Sequence, residues 1–535
     1  VAVLAQPDWH SAEAFAAFGR PKLGVLIGAG NLDSMVAHYT AAKKRRSEDF
    51  YSPGKKAGLR PDRATIVYSN RAREAFGSDV PIIIGGLEAS LRRFAHYDYW
   101  SDRLMPSILV DSTADWLIYG AGEQAIIDLA NYYSRLKAGL STPDRRSILQ
   151  TAFLTNDLPT DDNCVVLHSF EEEQKDKYLH AEDFRLIEIE SNKIHPKTIV
   201  QKVNSTFVVI NPTNLPMTTE QLDAIYDLPF QYLPHPKYKD KRIPAYEMIR
   251  FSVCMHRGCF GGCSFCTISA HQGKQIVSRS KANILRQIDR LKELTEWKGY
   301  LSDLGGPSAN MYGMHGKDMR LCEQCARPSC LQPTICKNLN QDFAPLLDIY
   351  RTIDRLPYIK RAYVGSGIRY DLMNEEYGQQ LITRHVSGRL KVAPEHTSSN
   401  VLQLMRKPVW EQYLKFREFF LRVNEENGMN QQIIPYFISS HPGCTERDMA
   451  DLAAWTQKMH YRPEQVQDFT PTPMTLSTTM FYTGLNPYTM KPVYVARSQQ
   501  DKKRQKDYFF WWKNDHKASP EKANKNRKGG HKRWD

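Results

Sequence analysis

The 535-residue chain lacks any apolar run long enough to cross a bilayer and any leader-like stretch near its beginning. Its longest strand-like apolar run, residues 80–84, is far shorter than the roughly 20 residues a membrane helix needs, so no membrane partner is expected. It also lacks a recognisable RNA-binding module. Cysteine and apolar mass, by contrast, are not scarce. Ten cysteines without an export signal suit a reducing compartment, where thiols serve metals or redox chemistry, and the cytoplasm is the expected location. A hydrophobic fraction of 41% with 11% aromatics is ample for packed cores and excludes a disordered chain. At this length two or three domains are expected.

Residues 1–4, 23–27, 65–68, 80–84 and 116–119 read as strands, each followed by glycine or polar residues and a helix-like stretch. That alternation predicts an N-terminal parallel α/β domain over residues 1–140. The chain begins at Val1, without methionine and already strand-like, so the domain's opening part is expected to precede it. Residues 85–90 and 120–125 fall at strand-to-helix turns, where backbone N–H groups meet ligands and where tight geometry alone also asks for glycine. Residues 141–246 weaken into charged, proline-punctuated segments and read as an extension followed by a linker. Over 247–480 the alternation returns, with strands at 249–254, 300–304, 362–365, 390–393, 433–438 and 466–469. Helices are expected from about Ser280, where Ile284, Ile288, Leu291 and Leu294 recur at helical spacing, and over 343–356. The pattern predicts a partial (β/α)6 TIM-like barrel with catalytic groups at the C-terminal ends of its strands and a Cys-rich insert at 315–340. Residues 481–535 read as a C-terminal extension ending in a basic, disordered tail.

Cys259, Cys263 and Cys266 form C-x3-C-x2-C, interleaved with Gly258, Gly261, Gly262 and aromatics directly after a strand. Three soft thiolates can hold three irons of a [4Fe-4S] cube and leave the fourth open. Zinc knuckles pair two C-x2-C units, which this loop does not do, so the cluster is the better reading. Cys254 reads as a strand residue that packs, and Cys164 and Cys444 have no partner by spacing. A second group, Cys322, Cys325, Cys330 and Cys336, places four cysteines within fifteen residues. Bound metal is expected there, and zinc and iron–sulfur both remain open.

The run from Arg257 to Cys266 resembles the cluster loop of radical SAM enzymes, in which the open iron is chelated by S-adenosylmethionine. In that superfamily an electron from the cluster cleaves the sulfonium and releases a 5′-deoxyadenosyl radical, with the cofactor carrying the hard chemistry. The resemblance implies that Phe265 packs near the adenine and that Gly305 and Gly306 receive the methionine amino group. It further implies that Ser366, Arg369 and Glu395, beyond the third and fourth barrel strands, lie near the cofactor's ribose and carboxylate. Residues 394–408 and 439–446 resemble the methylthiotransferase branch. Over essentially its whole length the chain resembles the YgiQ-like radical SAM proteins, on residues 31–40, 51–54 and 85–90 together with the cluster loop. By that resemblance the first domain is of a cobalamin-binding, Rossmann-like type whose ligand-bearing part would precede Val1, so cobalamin is not supported by this sequence. An electron donor such as flavodoxin or ferredoxin is implied as a partner. The substrate is not named, and RNA, protein and a methylthiotransferase-like activity all stay open. A non-catalytic iron–sulfur sensor or RNA-associated scaffold is the alternative from another class. The ordered strand-end turns favour the enzyme, because a sensor needs no cofactor-seating surface.

The net charge of +13 is unevenly spread. Residues 501–535 hold 12 Lys and Arg against 5 Asp and Glu, interleaved with Tyr508, Phe509, Phe510, Trp511 and Trp512. Basic residues mixed with aromatics can track phosphates and stack bases, which keeps RNA open as a partner, while a solvated tail is the plainer reading.

Overall fold

The computed structural model describes residues 1–159, 163–463 and 465–512. Its N-terminal part is built on a seven-stranded sheet in the order Val25–Gly28, Ile82–Gly85, Trp116–Ile118, Thr151–Thr155, Thr206–Ile210, Thr198–Val203, Cys164–Val166. The first three strands run parallel, as expected. The sheet as a whole is mixed, because Thr151–Thr155 enters antiparallel and Thr198–Val203 forms an antiparallel pair with Thr206–Ile210. Thus the stretch expected as extension and linker supplies four of the seven strands. Their alternation was obscured by the charged helices Phe170–Lys175 and Lys177–Ser191 between them.

Period-two burial gives the sheet two packed faces. Ile82, Ile84 and Leu117 join Tyr97, Tyr99 and Ile108 on one side, whereas Ile83, Trp116, Ile118 and Phe153 meet Ala125 and Leu129 on the other. Two expected strands are absent. Residues 1–5 carry no regular structure, and residues 65–68 lie in the helix Ala64–Phe76. There the buried Ala64, Thr65, Tyr68, Ser69, Ala72 and Phe76 recur at helical spacing, a period the four-residue window was too short to reveal.

The turn at 85–90 is occupied by the protein itself. The buried Glu88 carboxylate accepts from the N–H of Ser34 (2.8 Å) and of Thr65 (2.9 Å), and Asp33 pairs with Arg92. These bonds lock the 31–40 loop over the strand ends. Gly120, at φ +68°, lets the carbonyl of His271 approach to 2.9 Å of where a Cβ would stand.

The second part carries the six expected strand positions: Ser252–Cys254, the pair Tyr300–Leu301 and Asp303–Gly305, Arg361–Ala362, Arg389–Glu395, Gln432–Ser439 and Gln465–Asp468. Their neighbours pair in parallel, with registers Ser252↔Asp303, Tyr300↔Arg361, Leu390↔Ile433 and Phe437↔Val466. Helices Lys281–Lys292, Ala344–Asp354, Trp410–Glu426 and Glu446–Lys458 cover them, and Ser280 caps the first of these through the N–H of Asn283. The two parts are clamped together by Arg406 on Glu188 (2.7 and 2.9 Å) and by Arg257 on Glu123 (2.7 Å).

Past residue 480 the chain continues to pack. Helix Gln499–Asp507 buries Lys502 and Gln505, and Phe509 is fully buried with its ring 6.3 Å from Phe437. Phe509 is therefore committed to the core and unavailable for base stacking. The tail from 513 onward lies outside the described residues. Among the described residues no helix is long and apolar enough to cross a membrane.

Candidate metal centre and cofactor site

The loop bearing Cys259, Cys263 and Cys266 leaves the C-terminal end of Ser252–Cys254 and is fixed by bonds along its length. The N–H of Cys259 donates to the Gly273 carbonyl (3.1 Å), that of Ser264 to Met405 (3.0 Å) and that of Cys266 to Cys263 (3.1 Å). Between two of the cysteines, the Ser264 hydroxyl sits 2.8 Å from that of Ser477, which lies 2.7 Å from Nε2 of the buried His441. Glycine is required at two points. Gly258, at φ +85°, would drive a Cβ into the Gln275 carbonyl, and Gly262, at φ +60°, would drive one into the Pro328 carbonyl. Cys254, expected to pack, is exposed at the strand end.

The three thiols are half-buried and near enough to influence one another. Burial first, and a Cys263 thiolate second, push Cys259 up to about 11 and Cys266 up to about 12. Two cations oppose this. Arg369 Nη1 donates to Cys263 Sγ at 3.4 Å, and both Arg369 and Lys407 stabilise a Cys259 thiolate. Arg369 is itself gripped by Asp371 through two bonds of 2.8 and 2.6 Å, and Lys407 Nζ lies 3.5 Å from Glu395. Burial pushes the Glu395 carboxyl above its usual range, while Lys407 and Arg369 draw it back. Glu395 stands at φ +70°, beside a break in the register between its strand and Gln432–Ser439. A left-handed non-glycine residue costs about 1–3 kcal/mol, and such strain gathers at functional sites.

Gly305 and Gly306 close the second strand position. A Cβ on Gly305 would overlap the Ser366 hydroxyl and the Asp303 carboxylate, and one on Gly306 would overlap the His256 ring. Asp303 accepts from the N–H of Gly365 (2.8 Å) and Ser366 (3.0 Å) and from the Ser366 hydroxyl. The glycine pair and Ser366 are thus brought together, with the hydroxyl already held by Asp303. Phe265 packs against both cores and meets His441 edge-on at 6.1 Å.

The second cysteine group is docked on this loop. Cys330 N–H donates to the Phe260 carbonyl (3.0 Å), and the Ser329 hydroxyl to that of Gly261 (2.7 Å). Among the described residues no three His, Cys, Asp or Glu side chains converge as a single metal ion requires. The donor set at 259–266, three thiols flanked by Arg369 and Lys407, nevertheless suits an iron–sulfur cluster, whose net negative charge those cations would offset. Behind the loop, a cavity of about 790 Å³ opens between Tyr119 and Gly120, just past the strand Trp116–Ile118, and Ser269, His271 and Gly273.

Sequence reasoning missed Asp303, Asp371, Lys407 and the His441–Ser477–Ser264 relay. Lys407 and His441 lie inside stretches noted for other reasons, whereas Ser477 is more than two hundred residues from the loop it touches and gave no signal.

Residues 1–252 match the family described as Radical SAM N-terminal, and residues 464–519 match a domain of unknown function, DUF3362. A UPF0313 protein of Bacteroides thetaiotaomicron is 52% identical, covering 96% of this chain and 86% of its own. One from Porphyromonas gingivalis is also 52% identical (96% and 83%), and one from Methanocella arvoryzae 47% (94% and 84%). The chain belongs to the UPF0313 (YgiQ-like) family. Among solved structures, the radical S-adenosylmethionine methyltransferase TsrM from Kitasatospora setae, with cobalamin and a [4Fe-4S] cluster bound, is similar with a TM-score of 0.48 and 14% identity. The match covers 88% of this chain and 65% of that one.

Proposed function

We propose that this UPF0313 protein is a radical SAM enzyme acting on a substrate of its own, with residues 247–480 forming a six-strand partial barrel around the cofactor. The observation that carries the reading is the loop of Cys259, Cys263 and Cys266, seated at a strand end with Arg369 donating to Cys263 Sγ. When bound, the cluster and S-adenosylmethionine would supply one-electron cleavage of the sulfonium and a 5′-deoxyadenosyl radical.

The chain's own residues do the rest. Cys259, Cys263 and Cys266 bind the cluster, and Arg369, oriented by Asp371, holds positive charge against Cys263. The Ser264–Ser477–His441 relay fixes the loop from below. Gly305 and Gly306 leave room at the second strand end for the Ser366 hydroxyl, the Asp303 carboxylate and the His256 ring, beside the backbone that would receive the methionine amino group of S-adenosylmethionine. Glu395, strained and paired with Lys407, orients the cofactor's polar end. Phe265, packed against both cores and His441, would shield the cofactor site from water. A reducing partner such as flavodoxin or ferredoxin would deliver the electron.

The test is anaerobic reconstitution with iron and sulfide, reduction with S-adenosylmethionine present, and chromatography for 5′-deoxyadenosine, beside Cys263→Ala. Product that depends on Cys263 supports the enzyme. A well-formed cluster that binds S-adenosylmethionine yet gives no product, even with cell extract added, sinks it in favour of a sensor.

A further inference from the structure

We propose that Cys322, Cys325, Cys330 and Cys336 are the four ligands of a second iron–sulfur cluster, built directly against the loop of the first. The segment has little else to hold it. Its regular structure is the single short helix Met319–Glu323, and apart from Leu331 its residues from 315 to 338 contribute little to the core. A core-poor segment dense in cysteine needs a covalent or metal staple. The four cysteines are held in two pairs by the backbone: the N–H of Cys325 donates to the Cys322 carbonyl (3.1 Å) and that of Cys336 to the Cys330 carbonyl (2.7 Å). Asn338 Nδ2 points at Cys322 Sγ from 3.4 Å, a donor suited to a charged sulfur.

An independent observation comes from Lys274. It is 6% exposed, donates from Nζ to the Arg327 carbonyl at 2.8 Å and lies 3.9 Å from Cys325 Sγ. No carboxylate among the described residues pairs with it. A buried ammonium without a counter-charge is costly. Thiolates bound to metal would supply that charge, whereas four neutral thiols would not.

Iron–sulfur is favoured over zinc by the spacing: zinc modules pair two short C-x2-C units, whereas only Cys322 and Cys325 form one here and Cys330 and Cys336 follow at wider intervals. Docking through Cys330, Ser329 and Pro328 then sets the two clusters side by side.

The experiment compares the anaerobically reconstituted chain with its Cys259→Ala/Cys263→Ala/Cys266→Ala variant by iron, sulfide and zinc analysis and by electron paramagnetic resonance after reduction. About eight irons in the parent and about four in the variant are expected, the latter with a signal that S-adenosylmethionine does not alter. A variant that keeps its circular dichroism but holds no iron overturns the proposal, as does one zinc beside about four irons in the parent. Should that variant fail to fold, Cys330→Ala in the intact chain should lower iron from about eight to about four and leave a signal that still responds to S-adenosylmethionine. Unchanged iron in Cys330→Ala would equally overturn it. Failure of the first site is read separately: the parent would then hold about four irons, which the triple variant keeps.

Discussion

Each cysteine group has a buried cation whose nitrogen reaches one of its sulfurs, and these two cations are balanced in different ways. Arg369, at Cys263, is paired with Asp371, so it keeps a carboxylate partner within the protein whether or not a cluster is present. Lys274, at Cys325, meets a backbone carbonyl and a sulfur and has no carboxylate partner among the described residues. The difference suggests that the 259–266 loop is preorganised by hydrogen bonds and needs metal for chemistry, while the 322–336 segment needs metal to fold. That distinction can be tested at each site.

The largest effect is expected from removing a ligand of the first group. Cys263→Ala should abolish 5′-deoxyadenosine formation by more than about 100-fold, beyond the 10–100-fold typical of outer-shell changes. Circular dichroism of the variant should match the parent, because the loop's position rests on the bonds of Ser264, Cys259 and Ser269. If Cys263→Ala unfolds the chain, the idea of a preorganised loop is wrong.

Next is Gly262→Ala, which strikes the seam between the groups. Its left-handed backbone costs an alanine about 1–2 kcal/mol, and the methyl would also overlap the Pro328 carbonyl. Gly258→Ala carries a similar backbone cost but clashes with Gln275 inside the loop's own flank. Iron analysis should therefore show Gly262→Ala losing metal from both groups, and Gly258→Ala from the first alone. Equal losses in the two variants would show that the seam does not couple them.

How far these regions were legible in the sequence follows the same division. The cluster loop could be read because its spacing is local, and the six strand positions after 247 because each apolar run is bounded by polar turns. The mixed character of the first sheet could not be read, since it depends on Thr151–Thr155 choosing Thr206–Ile210 as a neighbour across fifty residues of chain. Asp303 shows the limit at the site itself: nothing about an aspartate inside a strand indicates that it will collect two N–H groups and a hydroxyl from the next strand end. Long-range polar partners of this kind carry no periodicity.

Metal removal should separate the groups in time-resolved hydrogen exchange. In chelator-treated protein, the amides of 318–339 should lose protection by at least about tenfold, corresponding to the roughly 1.4 kcal/mol that a tenfold change represents. Those of Cys259, Ser264 and Cys266, bonded to Gly273, Met405 and Cys263, should change little. Comparable loss in both would indicate that the loop too is metal-dependent.

The smallest effect is expected from Ser329→Ala. The buried hydroxyl donates to the Gly261 carbonyl at 2.7 Å and accepts from the N–H groups of Leu331 and Gln332, both at 3.0 Å. Its loss strands three backbone groups at the seam, at a cost of about 1–3 kcal/mol. A drop in Tm of a few degrees is expected with iron content retained, because the thiols and Lys274 are untouched. If Ser329→Ala instead strips iron from the second group alone, the hydroxyl is orienting the cysteine ligands beside it as well as joining the two segments.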